Sequence, residues 1–195
     1  MRVAFENRPY RGEKSCGDQA GFWEIDGQIR LCMVDGLGHG ALAEEAALAA
    51  VEYVGAHLSD TLQELFAGCN AAIGYTRGVA MGIACLDPSA GTLDYAGIGN
   101  PRAMIYGPTR RKIIHLSSDP GIIGGGYRNL IPETVQFSES DTVVMSTDGI
   151  EELIDMSIYH RSEITEPRAV AVRIIADWGD DSDDRGVLVF KPGTG

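Results

Sequence analysis

The chain has 195 residues, of which 44% are hydrophobic and 23% charged, the make-up of a globular protein with room for one sizeable core. Its net charge of −12 opposes binding to nucleic acid or to an anionic membrane surface. Clustered carboxylates suit divalent cations instead, because hard ions prefer oxygen ligands. The cysteines Cys16, Cys32, Cys69 and Cys85 form no CxxC pair and no zinc-like spacing with histidine. Buried free thiols are therefore expected. No apolar stretch after Met1 resembles a signal peptide, and the longest apolar run, residues 46–51, is far too short to span a bilayer. A reduced, soluble, cytoplasmic protein is the expectation.

Residues 2–6 read as a first strand and 7–12 as a turn-rich loop. After Cys16-Gly17-Asp18, a short strand at 21–25 leads to Asp26-Gly27, a strong two-residue hairpin signal. Its partner, 28–34, alternates Ile29, Leu31 and Met33 with Gln28, Arg30 and Cys32, and delivers Asp35 at its end. Asp35-Gly36-Leu37-Gly38-His39-Gly40 then bares the backbone before a helix starting at Ala41. Such a loop lets an ion or phosphate approach the main chain. Taken alone, the same glycines also suit a tight strand-to-helix turn.

Residues 41–58 predict a long alanine-rich helix with Glu45 and Glu52 on a solvated face. Ser59-Asp60 is predicted to cap the next, in which Leu62, Leu65, Phe66, Cys69 and Ile73 keep helical spacing. From Arg77 onward the period changes. Strands at 79–86, 93–98, 102–106 and 112–116 are separated by Asp87-Pro88, Gly99-Asn100-Pro101 and Gly107-Pro108, the pattern of an antiparallel meander. The glycine-rich residues 117–129 lack the Lys-Ser or Lys-Thr of a nucleotide-binding phosphate loop and read as a mobile loop beside the site. Strands follow at 134–137 and 142–146, the second ending at Thr147-Asp148-Gly149, with a short helix at 150–155. Glu166-Pro167 opens a last helix with Val170, Ile174 and Trp178 on one face, and 186–190 is a terminal strand. With no linker, repeat or low-complexity block, a single domain over 1–195 is expected.

Asp35, Asp148 and the Asp183-Asp184 pair thus stand at strand ends that one layered fold can bring together. Carboxylates packed side by side raise one another's pKa, and a cation removes that cost. Asp180 and Asp181 read as a solvated loop. No Ser-His-Asp or Cys-His pair is evident. The order Gly17-Asp18, then Asp35-Gly36-Leu37-Gly38-His39-Gly40, then Thr147-Asp148-Gly149, then Asp183-Asp184 resembles the metal-dependent (PPM) Ser/Thr protein phosphatases. Residues 34–40, 146–149 and Gly97-Ile98-Gly99-Asn100 resemble the bacterial SpoIIE-type branch, and most of all its small stand-alone stressosome phosphatases.

That resemblance runs from Gly17 to Val189. It implies an α+β fold, a four-layer αββα sandwich of two stacked antiparallel sheets flanked by helices. At one edge it implies two divalent cations, manganese or magnesium. Asp35 would bridge both ions, the Gly36 carbonyl would bind one, and Asp148 and Asp183 would complete the other's ligands. Asp18 would hold water beside them, and Asp184 would point away behind Asp183. Where the family usually carries a small hydroxyl residue, two positions after the Asp-Asp pair, this chain has Gly186. The phosphate-gripping arginine of larger members has no evident counterpart, and Arg8, Arg11 and Lys14 are the nearby cations. His39 reads either as a general acid for the leaving alkoxide or as a loop-stabilising residue. Two cations roughly 3.5–4 Å apart orient water for in-line attack on phosphorus. The implied reaction is hydrolysis of phosphoserine or phosphothreonine on partner proteins, with stressosome scaffold or antagonist proteins of a sigma-factor stress response as substrates. A phosphatase-like binding module and a small-molecule phosphohydrolase are the alternatives.

Overall fold

The computed structural model describes residues 2–159 and 166–193. Asp26 (φ 51°) and Gly27 (φ 79°) both take the left-handed conformation that a type I′ hairpin turn needs. They join β2 (Asp18–Ile25) to β3 (Gln28–Gly36). The strand β2 begins three residues earlier than its apolar pattern suggests, and this sets Asp18 directly opposite Asp35. Next to β3 lie β4 (Val79–Asp87), β5 (Thr92–Ile98) and β10 (Glu133–Gln136), which complete one antiparallel sheet.

The second sheet is antiparallel too, in the order β1 (Arg2–Arg8), β12 (Arg185–Lys191), β11 (Thr142–Ser146), β6 (Arg102–Tyr106) and β7 (Ile114–Leu116). Alternate residues of one strand serve different layers. Leu31 and Met33 of β3 face the second sheet and pack with Ile105, Met145, Leu188 and Phe190. Cys32 and Val34, between them in sequence, face α1 (Ala41–Ala56) and α2 (Leu62–Ala72). On the far side Val144, Val187 and Val189 pack under α3 (Pro167–Trp178) through Val170, Ala171, Ile174 and Ile175. The result is the expected four-layer αββα sandwich. Buried Ala43, Ala46, Ala47 and Ala50 let α1 lie close on its sheet.

Three local expectations change. The cap of α2 is Thr61 rather than Ser59-Asp60, because Thr61 and Glu64 exchange the reciprocal bonds of a capping box. Asp60 instead offers its carbonyl to the buried Arg30 guanidinium at 3.2 Å. The helix expected at 150–155 is absent, because this backbone is already paired: Glu151 N donates to Trp178 O (2.9 Å) and Asp180 N to Gly149 O (2.8 Å). A single 3-10 turn, Met156–Ile158, follows it. Within 117–129 the chain is tethered rather than loose. The small hairpin of β8 (Gly121–Ile122) and β9 (Gly126–Tyr127) is pinned where Ile123 and Val79 exchange backbone hydrogen bonds of 2.8 and 2.9 Å.

All four cysteines are free thiols; Cys16, Cys32 and Cys69 are buried. Burial pushes the Cys16 and Cys69 thiols up to about 12, which keeps them unreactive. Among the described residues no helix is long and apolar enough to cross a membrane. Thr61→Ala should lower unfolding free energy by about 1 kcal/mol in urea titration, the usual worth of such a cap. Activity should not change.

Candidate metal centre

Strand ends from both sheets meet at one edge. Pairing of β1 with β12 sets Asn7 opposite Gly186, and Asn7 Nδ2 donates to the Asp18 carbonyl at 2.8 Å, crossing to the other sheet. Thr147, just beyond β11, sits between the layers. Its hydroxyl donates to Asp18 Oδ2 (2.6 Å) and accepts from Gly186 N (2.9 Å). Asp18 is 1% exposed, and its Oδ1 has no hydrogen-bond partner.

Asp35, the last but one residue of β3, faces Asp148 of the Thr147-Asp148-Gly149 turn. Asn100 lies between them: Nδ2 donates to Asp35 Oδ2 at 2.7 Å and to Asp148 Oδ2 at 2.6 Å. Burial first, and then the Asp148 charge, push the Asp35 carboxyl up to about 8, with the Asn100 bond pulling the other way. Burial drives Asp18 well above its usual range, the Asp35 charge adding to it. Asp183 is raised by burial, with smaller contributions from Asp148 and Asp184.

The two members of the Asp-Asp pair sit differently. Asp184, 2% exposed, turns away from the edge and accepts from Tyr10 N (2.6 Å) and Gly17 N (2.8 Å). It fastens the 9–17 loop to the start of β12. Asp183 is half-buried on the side of Asp148. Gly186 is also accounted for. A Cβ there would meet the Met33 methyl and stand 3.0 Å from Asp18 Cβ, so a side chain at this position would make Met33 shift. Gly36 is held in the same way, its N–H donating to Gly17 O (3.0 Å) and the Ala43 carbonyl occupying the Cβ position.

The remaining residues from the sequence lie further out. His39 carries Nδ1 3.1 Å from Glu13 Oε1 and stacks on Tyr10 with ring centroids 4.5 Å apart. These contacts clasp the glycine loop to the 9–17 loop. Arg8 spends its guanidinium on the Asn7 carbonyl (2.6 Å) and on Glu6 (3.5 Å). Arg11 and Lys14 project from the exposed loop. Asn100 and Thr147 are the residues that sequence reasoning passed over as site residues. Gly99-Asn100-Pro101 reads as a turn, and only its place after a strand ending at this edge hints at more.

Among the described residues no three acidic, histidine or cysteine side chains converge closely enough to grip an ion as they stand. The chemistry of the donors nevertheless fits a hard divalent cation. The atoms are carboxylate oxygens with raised proton affinity, one of them orphaned in the interior, and an amide already bridges two of them as a partial positive charge would.

The family described as stage II sporulation protein E (SpoIIE) matches residues 25–180. The chain belongs to the SpoIIE family. It is 26% identical over 140 residues to the phosphoserine phosphatase RsbX of Bacillus subtilis (strain 168), covering 71% of this chain and 69% of that one. A structure of RsbX in complex with magnesium superposes with a TM-score of 0.81 at 20% identity, over 96% of this chain and 92% of the other. Another, described under the bacterial stressosome as a modular system adapted to control secondary messenger signalling, gives 0.88 at 28% identity, over 96% and 97%. This SpoIIE-family member is a Ser/Thr protein phosphatase related to RsbX.

Two stability measurements test the electrostatics. Asp184→Ala leaves two backbone N–H groups without acceptors and should destabilise the metal-free phosphatase by about 2–3 kcal/mol. Asp183→Ala should leave the metal-free Tm at or above the parent's, while shrinking the Tm rise that manganese gives. Equal losses of metal-free stability would contradict the division. In the second, Asp35 holds a proton in the folded state that the unfolded chain has released, so the metal-free Tm should fall as pH rises from about 4 through about 8. Manganese should raise Tm more at the alkaline end, where it no longer competes with that proton. Asp35→Asn should make the fall shallower, with Asp18 and Asp183 leaving the remainder, and an unchanged slope in that variant would refute the assignment.

Proposed function

We propose that this phosphatase hydrolyses phosphoserine or phosphothreonine on regulatory partner proteins, using two divalent cations, manganese or magnesium, at the edge where Asp18, Asp35, Asp148 and Asp183 meet. The observation that carries the reading is that carboxylates from both sheets are crowded together with raised proton affinity. Asp35, the Gly36 carbonyl, Asp148 and Asp183 are the ligands in this reading. When bound, the cations activate water and offset charge spreading over the phosphoryl oxygens.

The chain's own residues do the positioning. Asn100 engages the Oδ2 atoms of Asp35 and Asp148 and so holds the two carboxylates side by side. Thr147 fixes Asp18 through Oδ2 and leaves its Oδ1 to orient water. Asp184 keeps the 9–17 loop in place beside the edge. His39 either protonates the leaving alkoxide or serves only as the clasp to Glu13. Similarity to RsbX and to the stressosome-related structure supports phosphorylated stressosome scaffold or antagonist proteins in the cytoplasm as substrates.

Asp35→Asn and Asp148→Asn should each reduce turnover of a phosphoserine protein to background with manganese present, as should a chelator on the parent. Circular dichroism should report an intact fold in both. Near-parent turnover by Asp35→Asn would rule out this centre. For the substrate, kcat/KM should be far higher on an intact phosphorylated scaffold assembly than on a peptide carrying the same phosphosite, and equal values would remove the partner assignment while leaving the chemistry.

A further inference from the structure

The cations around this edge are mostly engaged. Arg8 is held by Asn7 and Glu6. Arg102 Nη2 donates to the carbonyls of Thr147 (3.4 Å) and Ile150 (2.7 Å). Arg185 Nη1 pairs with Asp181 at 2.5 Å. Arg77 differs. It is exposed, and among the described residues no hydrogen bond or ion pair holds its guanidinium.

Its place is nevertheless well defined. In the β3–β4 register Asp35 lies opposite Ala80 and Gly36 opposite Val79. Leu37 N then donates to Gly78 O at 3.1 Å, so the pairing continues past the strand ends and brings Arg77 across from Gly38. A Cβ built on Gly38, whose φ is 81°, would stand 3.1 Å from Arg77 Nη1. The guanidinium therefore rests against the backbone of the glycine loop. Gly38 is three residues beyond Asp35, so the guanidinium stands on the same loop that leaves the carboxylate edge.

We propose that Arg77 binds the phosphoryl oxygens of the substrate, a phosphomonoester dianion, from the side of the glycine loop. This rests on the phosphatase reading above and adds to it the group that grips the substrate. A guanidinium presents paired N–H donors that match two phosphoryl oxygens, and it is always charged. In a chain of net charge −12, an unpaired cation at this rim also gives an anionic substrate a local attraction that the rest of the surface denies it. Gly38 keeps the space in front of the guanidinium clear.

The test is steady-state kinetics with manganese on p-nitrophenyl phosphate, with inorganic phosphate as competitive inhibitor, for Arg77→Ala, Arg77→Lys, Arg11→Ala and Lys14→Ala. Arg77→Ala should raise both KM and the inhibition constant of phosphate by about tenfold or more, the worth of a charged hydrogen-bonding pair. Arg77→Lys should recover part of each. Tm and its rise with manganese should match the parent's, since Arg77 holds nothing in the fold. Parent-like KM and phosphate inhibition in Arg77→Ala overturn the proposal, as does the same weakening in Arg11→Ala or Lys14→Ala but not in Arg77→Ala. If the parent binds manganese yet hydrolyses no phosphomonoester, the functional reading falls and this inference falls with it.

Discussion

Four carboxylates gathered from two different sheets repel one another at a single edge, and much of the local structure answers to that repulsion. Asp18 and Asp35 face each other across β2 and β3, Asp148 follows β11, and Asp183 precedes β12. A fold free to relax would move these groups apart or into water. Here they are held by neutral donors: the Asn100 amide on Asp35 and Asp148, and the Thr147 hydroxyl on Asp18. Each donor lowers the cost without discharging it, and the carboxyls of Asp18, Asp35 and Asp183 stay above their ordinary range. In the proposed reading a cation would replace the protons that these carboxyls hold in its absence.

The sandwich makes the arrangement stiff enough to last. Strand ends from separate sheets can be set against one another only if the layers do not slide, and the apolar face shared by Leu31, Met33, Tyr95, Met145, Leu188 and Phe190 prevents that. Met33 links the two scales. It packs in the core between the sheets, and its methyl lies against Gly186, whose N–H completes the Thr147–Asp18 chain. Asp184 adds the reverse case, a buried carboxylate whose two oxygens each receive a backbone N–H, so that it serves the fold rather than an ion.

Much of this was legible in the sequence, for physical reasons. Residues 28–34 keep an alternation that survives even though both faces are covered, and Asp26-Gly27 fixes the hairpin turn. Strand boundaries drawn that way put Asp35 and Asp148 at ends, while the different roles of Asp183 and Asp184 came only from the resemblance. The misses share a cause, which is that their partners are remote in sequence. Residues 150–155 look helical until Trp178 and Asp180 claim their backbone. Asn100 looks like a turn residue until two carboxylates over 45 residues away on either side meet it. Gly186 looks like a departure from the family in sequence, and only the fold shows the Met33 methyl packed against it. Arg77 is silent in sequence because what marks it is its place against Gly38, without a partner among the described residues.

The central claim is that this edge holds a pair of divalent cations through Asp35, Asp148 and Asp183. Crystals grown with manganese and measured at its absorption edge test that most directly. Two anomalous peaks between these carboxylates, with Asp35 touching both and Asp184 neither, are the predicted result. Density for manganese elsewhere on the chain, or none at this edge in crystals that carry saturating manganese, would contradict the account.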